Sequence, residues 1–241
     1  MRFGKSDKIQ FISTVEGLES IEECLPKPAK HFIPQWFKDI PSQVDDAITV
    51  KHCPSFPDYF SQGYIVPMWS DVKMKLIEKV PKFELSATRF SFDIHPNEQM
   101  LDYSKATFNG VDGQFVFKAN CPWRIITPPG WSVLQLPLFY HFNQEWSVLP
   151  GVIDTDIHSE INQQILYHGN GKEVTINCGD PFVLYVPFKR SDKLNHEVRY
   201  QTKEEFLKFD KDTLFLNQHF KPNSTYRKMQ RKRDKVFLNK D

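Results

Sequence analysis

A chain of 241 residues that is 40% hydrophobic and 14% aromatic has enough apolar material for one elaborated domain or two small ones with a real core. Its 31 Lys and Arg nearly cancel its 30 Asp and Glu, so no overall field draws it to nucleic acid or an anionic membrane, and any such binding has to be local. No stretch approaches the roughly 20 apolar residues of a membrane span, and the start Met1-Arg-Phe-Gly-Lys-Ser-Asp-Lys has neither apolar core nor small-residue cleavage site, so no membrane association and no signal peptide are expected.

The aromatic excess is carried by 21 Phe, which suit pleated, half-buried surfaces better than helix bundles. Cys24, Cys53, Cys121 and Cys178 stand far apart in sequence with no C-x-x-C spacing. That pattern predicts four isolated, reduced thiols rather than a zinc knuckle or a redox pair.

In chain order, residues 25 to 41 carry four prolines, each of which removes a donor and restricts its predecessor. An extended arm with one helical turn at Gln35 to Asp39 is expected, its Phe32, Ile33, Trp36 and Phe37 buried against the body or another subunit. A second aromatic module runs from His52 to Trp69, where Pro57 can open a helical turn and Gly63 can end it. The period then changes to two. Val72, Met74 and Leu76 alternate with Lys73 and Lys75, and Phe90, Phe92 and Ile94 with Ser91 and Asp93, so both read as half-buried strands, with His95-Pro96-Asn97 ending the second.

Gly110 to Arg190 reads as all-β. Strand signals fall at Phe115-Val-Phe, Trp123-Arg-Ile-Ile, Trp131-Ser-Val-Leu-Gln-Leu, Ile161 to Tyr167, Val174-Thr-Ile and Phe182-Val-Leu-Tyr-Val. Turn residues separate them at Pro128-Pro129-Gly130, Pro150-Gly151, Gly169-Asn170-Gly171 and Cys178-Gly179-Asp180, the spacing of a sandwich or barrel. Beyond Arg190, Thr202 with Glu205 three residues on forms a capping box for a short helix. A basic segment from Tyr226 to Leu238 is expected to be helical and peripheral. The organisation read from this is 1–70, an N-terminal Pro/aromatic arm with short helical turns; 71–190, the β core; and 191–241, a helical basic tail.

One ordered set of features bears on chemistry: Gly151-Val-Ile-Asp154-Thr-Asp156, a strand, Gly169-Asn-Gly171, then Ile176-Asn-Cys-Gly179-Asp180 and an apolar strand closing on Pro187-Phe188. Gly151 reads as permitting a turn that a side chain would obstruct, and Gly179-Asp180 as a tight-turn pair. Asp154 and Asp156, two apart on an extended segment, point to one face. Such a pair could orient a water, bind a sugar hydroxyl, hold a cation, or anchor a turn by accepting backbone N–H bonds.

Over about 40 residues this order resembles the dUTPase and dCTP-deaminase superfamily, with its G-x-I-D-x-D and I-x-x-G-[DE]-x-[IF] segments. The resemblance implies a mainly β, β-clip or β-sandwich core, to which the N-terminal aromatic arm and short C-terminal helices are added. It places Asp154 at the family's water-activating carboxylate and makes Gly151, Asp154, Asp156, Ile157 and His158 the candidate ligand-binding residues. At the other catalytic positions the chain departs. Ile157 stands for the base-stacking aromatic, His158-Ser159 for Arg/Gln-Gly, Thr127-Pro-Pro-Gly130 for the phosphate segment, and Pro181 with Val183 or Leu184 for the closing Arg and Gln. Triphosphate hydrolysis needs several preorganised donors and usually magnesium around the developing charge. The Pro-rich modules Pro28 to Pro41 and Cys53 to Trp69 also resemble segments of uncharacterised tailed-phage proteins.

No metal site is expected. His141, His158 and His168 with Asp154 or Asp156 could in principle make a 2-His-1-carboxylate set, yet the H-x-H or H-x-D spacing is absent. The run Arg227, Lys228, Arg231, Lys232, Arg233 and Lys235 could grip phosphate, but short charge runs are usually solvated helix faces. The expectation is therefore a non-enzymatic structural or interaction protein, phage-encoded, without cofactor, assembling with itself as a homo-oligomer (a trimer by analogy) or with other virion proteins, in the host cytoplasm or the virion. Two alternatives stand beside it. One is a nucleotide-binding or dUTP/dCTP-hydrolysing enzyme using Asp154 with magnesium, and the other is nucleic-acid binding through the basic tail.

Overall fold

The computed structural model describes residues 8–45, 47–77, 80–87, 89–95, 115–168, 172–192 and 194–207. The Gly169-Asn170-Gly171 turn, the Pro96-Asn97 strand end and the basic run Arg227 to Lys235 lie outside the described residues. Contacts divide the chain into two compact units, Met1–Phe32 with Gln62–Asp192 and Ile33–Ser61 with Lys193–Asp241. The strands are β1 (Gln10–Ser13), β2 (Lys27–Pro28), β3 (Gln43–Val44), β4 (Ala47–Ile48), β5 (Tyr64–Pro67), β6 (Val72–Ile77), β7 (Val80–Leu85), β8 (Phe92–Ile94), β9 (Phe115–Asn120), β10 (Trp123–Ile126), β11 (Trp131–Leu136), β12 (Trp146–Val148), β13 (Gly151–Ile153), β14 (Asn162–Tyr167), β15 (Val174–Ile176) and β16 (Pro181–Lys189). Two short helices are α1 (Gln35–Asp39) and α2 (Ser55–Phe60).

The larger unit is mainly β and its described strands pair antiparallel. A five-stranded sheet runs β13-β11-β16-β5-β2, a four-stranded sheet β12-β14-β9-β8, a three-stranded sheet β15-β6-β7, and β1 pairs with β10. Inward residues of these strands meet in one core where Phe117, Val133, Ile165, Tyr167 and Phe182 are fully buried. Phe182 sits with its ring 5.8 Å from Trp69 and 5.5 Å from Trp146, and Phe115 stacks on Tyr167 at 4.6 Å. Alternation holds along β6, where Val72 and Met74 are buried and Lys73 is exposed. It fails at the end of the edge strand β8: Phe92 is buried but Ile94 is exposed.

Several strands come from sequence that carries no period-two signal. β5 has three consecutive buried residues, Ile65, Val66 and Pro67, because it lies inside the sheet between β16 and β2 with both faces covered. The ends of the aromatic N-terminal region are thus woven into the body, β1 on β10 and β5 on β16. β7 contains Pro81, and among the described strands β7 is the edge of its sheet, where a proline is tolerated.

A polar chain is buried between the two larger sheets. Gln163 on β14 donates from Nε2 to the Tyr185 hydroxyl (2.8 Å), which donates to Gln135 Oε1 (3.0 Å), and Gln135 Nε2 donates to the Leu149 carbonyl (2.9 Å). Burial pushes the Tyr185 phenol well above its ordinary pKa, so it stays neutral and can donate. Tyr185→Phe strands a donor and an acceptor in the core. Urea unfolding should show a loss of about 1–3 kcal/mol at unchanged m-value.

In the second unit the two Pro-rich modules bury their aromatics against each other. Phe37 stacks on Phe56 (5.7 Å, 5°) and lies 4.9 Å from Phe60, while Trp36 meets Phe37 and Phe56 edge-on. Lys51 Nζ donates to the Lys38 and Ile40 carbonyls at the end of α1 (2.9 and 3.0 Å). Thr202 and Glu205 form the reciprocal cap expected of them, Thr202 N to Glu205 Oε2 at 2.9 Å and Glu205 N to Thr202 Oγ1 at 3.2 Å. The Arg199 guanidinium holds the Glu205 carboxyl down at about 2.

Candidate functional site

Strand register brings the site together. β11 lies between β13 and β16, with Val133 opposite both Ile153 and Pro187. One step along β11, Ser132 stands beside Asp154, the residue that follows β13. Arg190, the residue after β16, donates its backbone N–H to the Gly130 carbonyl at 2.9 Å. Because side chains alternate, Ser132, Asp154 and Arg190 fall on one face.

Beyond Asp154 the chain turns sharply. Ile157 and His158 donate backbone N–H bonds to the Asp154 carbonyl, and the Thr155 hydroxyl is buried against that of Thr127 at 2.7 Å. This turn swings Asp156 back over the Pro128-Pro129-Gly130 loop, where Gly130 at φ 85° presents its N–H to Asp156 Oδ2 at 2.7 Å.

Asp156 is the centre of the cluster. Arg190 grips it with both terminal nitrogens, Nη1 to Oδ1 at 2.8 Å and Nη2 to Oδ2 at 2.6 Å. Its side chain is only 8% exposed, against 33% for Arg190 and 51% for Asp154. The Arg190 hydrogen bonds hold the Asp156 carboxyl below its ordinary pKa; burial opposes this and the Gly130 N–H assists it. The same pairing raises Arg190. Arg190 Nη1 also donates to the Ser132 hydroxyl (2.8 Å) and the Trp131 carbonyl (3.1 Å), and Ser132 donates to Asp154 Oδ1 at 2.6 Å, which Arg190 reaches at 3.3 Å.

Both aspartates therefore converge on one cation, and Asp156 is committed to a bidentate ion pair that ties β16 to the turns after β10 and β13. Asp154 keeps an exposed side. Ile157 is 79% exposed on the turn, and His158 is exposed beside it. Gly151 corrects the sequence expectation: nothing lies within 4 Å of where its Cβ would be and its φ is not positive, so a side chain would meet no obstruction. Gly179 has φ 87°, as a tight turn requires.

Arg190 and Ser132 are the members that sequence reasoning missed. Arg190 shares parity with Phe188 on β16, so the alternation was available; the partner strand was not. The histidines stand apart, His141 ending a 3-10 turn at Phe139–His141, His158 on the Asp156 turn, and His168 donating its N–H to the Glu145 carbonyl. Among the described residues no group of three His, Cys, Asp or Glu side chains is placed to hold a metal ion. A cleft of about 660 Å³ is lined by His141, Phe142, Glu145, Trp146, Lys172 and Asp180 among others, and one of about 230 Å³ shares His141, Trp146 and Pro181 with it. Neither is lined by the carboxylate cluster. Burial lowers the pKa of His141.

No family model matches the sequence, and no curated protein does. Solved structures do match it. A structure of native EIAV dUTPase is similar over 58% of this chain and 86% of its own, at 10% identity and a TM-score of 0.32. That is a distant likeness, of fold alone.

Proposed function

We propose that this chain is a non-enzymatic structural or interaction protein, phage-encoded, serving as a virion or assembly component on a dUTPase-like scaffold and assembling with itself. The observation that carries this reading is the Asp156–Arg190 pair. The carboxylate best buried is already neutralised by an intramolecular guanidinium, which suits an anchor and not a base awaiting a substrate. Exposed apolar side chains support an interaction role. Phe139 is 68% and Phe142 56% exposed, the latter held at φ 53°, a conformation costly for a bulky residue. The phage origin rests on the resemblance of the Pro28–Pro41 and Cys53–Trp69 modules, and a trimer is the first arrangement to test.

The competing reading is a nucleotide hydrolase in which the exposed side of Asp154 activates water with magnesium. Incubation with dUTP and with dCTP plus magnesium is expected to release no pyrophosphate above buffer, while sedimentation velocity gives a multiple of the chain mass. Pyrophosphate release that disappears in Asp154→Ala, or a strictly monomeric chain, overturns the proposal.

A further inference from the structure

The expectation of four isolated thiols fails for two of them. Cys24, at the end of the 3-10 turn Glu22–Cys24, is fully buried, and Cys178, in the turn between β15 and β16, is half-buried. Their sulfurs lie 3.1 Å apart although the residues are 154 positions apart in the chain. Sequence spacing could not show this, because the contact is made by tertiary folding.

Both backbones are fixed where they stand. Gly179 donates to the Met68 carbonyl at 2.7 Å and Met68 to that of Asp180 at 2.8 Å, while Cys178 N–H reaches Asp71 Oδ1 at 2.8 Å. On the facing side Cys24 N–H closes its turn on the Ile21 carbonyl at 3.0 Å. The neighbouring residues lie close as well: a Cβ added to Gly179 would stand 3.1 Å from Glu23 Cβ and 3.7 Å from the Glu23 carbonyl oxygen. The two segments are thus adjacent through their main chains, and the thiols meet without relying on long, mobile side chains. A disulfide needs its sulfurs at about 2.05 Å, so closure asks for a movement of about 1 Å. Cys121 lies beside Gln163 instead, and Cys53 belongs to the other unit.

We propose that Cys24 and Cys178 are a reversible disulfide site, oxidised by a low-molecular-weight disulfide, that locks the N-terminal turn onto the β15–β16 turn. The order of steps follows from access. Cys178, the half-buried thiol, loses its proton to solvent and attacks one sulfur of the small disulfide, expelling one thiolate and leaving a mixed disulfide. Cys24, whose thiol burial above all pushes up to about 12, is a poor nucleophile toward solvent. Held against the activated Cys178 sulfur, it loses its proton and displaces the second small thiolate. Two protein thiols and one small disulfide become one protein disulfide and two small thiols. An excess of small thiol reverses both steps.

The test uses the full chain equilibrated in glutathione buffers from fully reduced to fully oxidised, quenched in acid, unfolded, alkylated and mapped by mass spectrometry. The expected result is a Cys24–Cys178 linked peptide in oxidised buffer that dithiothreitol abolishes. The melting temperature should rise by about 5–10 °C on oxidation, since the cross-link closes a long loop in the unfolded chain. Cys178→Ser should fold and show no such rise. Recovery of both cysteines as alkylated thiols in oxidised buffer, or arrest of Cys178 as a glutathione adduct, overturns the proposal. Should Cys178→Ser fail to fold, the peptide map of the unaltered chain decides alone.

Discussion

Gly63→Ala is expected to destabilise the protein by at least about 3 kcal/mol, with guanidinium unfolding shifted to a much lower midpoint. Gly63 has φ +66°, where an L side chain is strained by roughly 1–2 kcal/mol. The larger cost is contact. A Cβ there would lie 2.2 Å from the Tyr185 carbonyl oxygen, 2.9 Å from its carbon and 3.0 Å from Val186 Cα. These are main-chain atoms of β16, so no rotamer change relieves them. Either β5 retreats from β16 or β16 shifts in the sheet centre, and β16 carries the buried Tyr185 hydroxyl and leads into Arg190. Gly17 supplies the control: φ is +82° but nothing lies within 4 Å of its Cβ position, so Gly17→Ala should cost only the backbone strain. Equal losses for the two variants would refute the close-approach argument.

What the sequence made legible was local. α1 occupies the residues expected of it because Pro34 and Pro41 leave space for one turn between them, and the Thr202–Glu205 box depends only on residues three apart. β6, β9 and β14 announced themselves by alternation or by dense apolar residues between turns. The misses share one cause. β5, covered on both faces, has no period of two and reads as one more piece of a Pro-rich aromatic module. Cys24 with Cys178, and Arg190 with Asp156, are pairs that only tertiary folding creates. In sequence Asp154 and Asp156 read as sharing one face of an extended segment; the structure instead brings Asp156 back by a turn after Asp154, and the two meet at the Arg190 cation.

That cation gives the second large prediction. Asp156→Asn should lower the melting temperature at pH 7 by about 6–10 °C, because it leaves Arg190 facing an amide and removes the charge from a pair whose carboxylate is nearly buried. Asp154→Ala should cost much less, since its side chain is half exposed and its contact with Arg190 is 3.3 Å. The pH dependence has a definite sign. Arg190 depresses the Asp156 pKa in the folded state, so the unfolded chain, whose carboxyl titrates near about 3.9, takes up the proton first as pH falls. The stabilisation is complete above about pH 5, weakens on acidification below that, and is gone once pH has passed the lower folded-state value. The gap between the melting temperatures of the unaltered chain and Asp156→Asn, measured from pH 8 to pH 3 at constant ionic strength, should therefore narrow toward the acid end. Curves that stay parallel throughout would mean that the pair is formed but contributes nothing through its charge, and the anchor role of Asp156 would then have to rest on its bond from the Gly130 N–H alone.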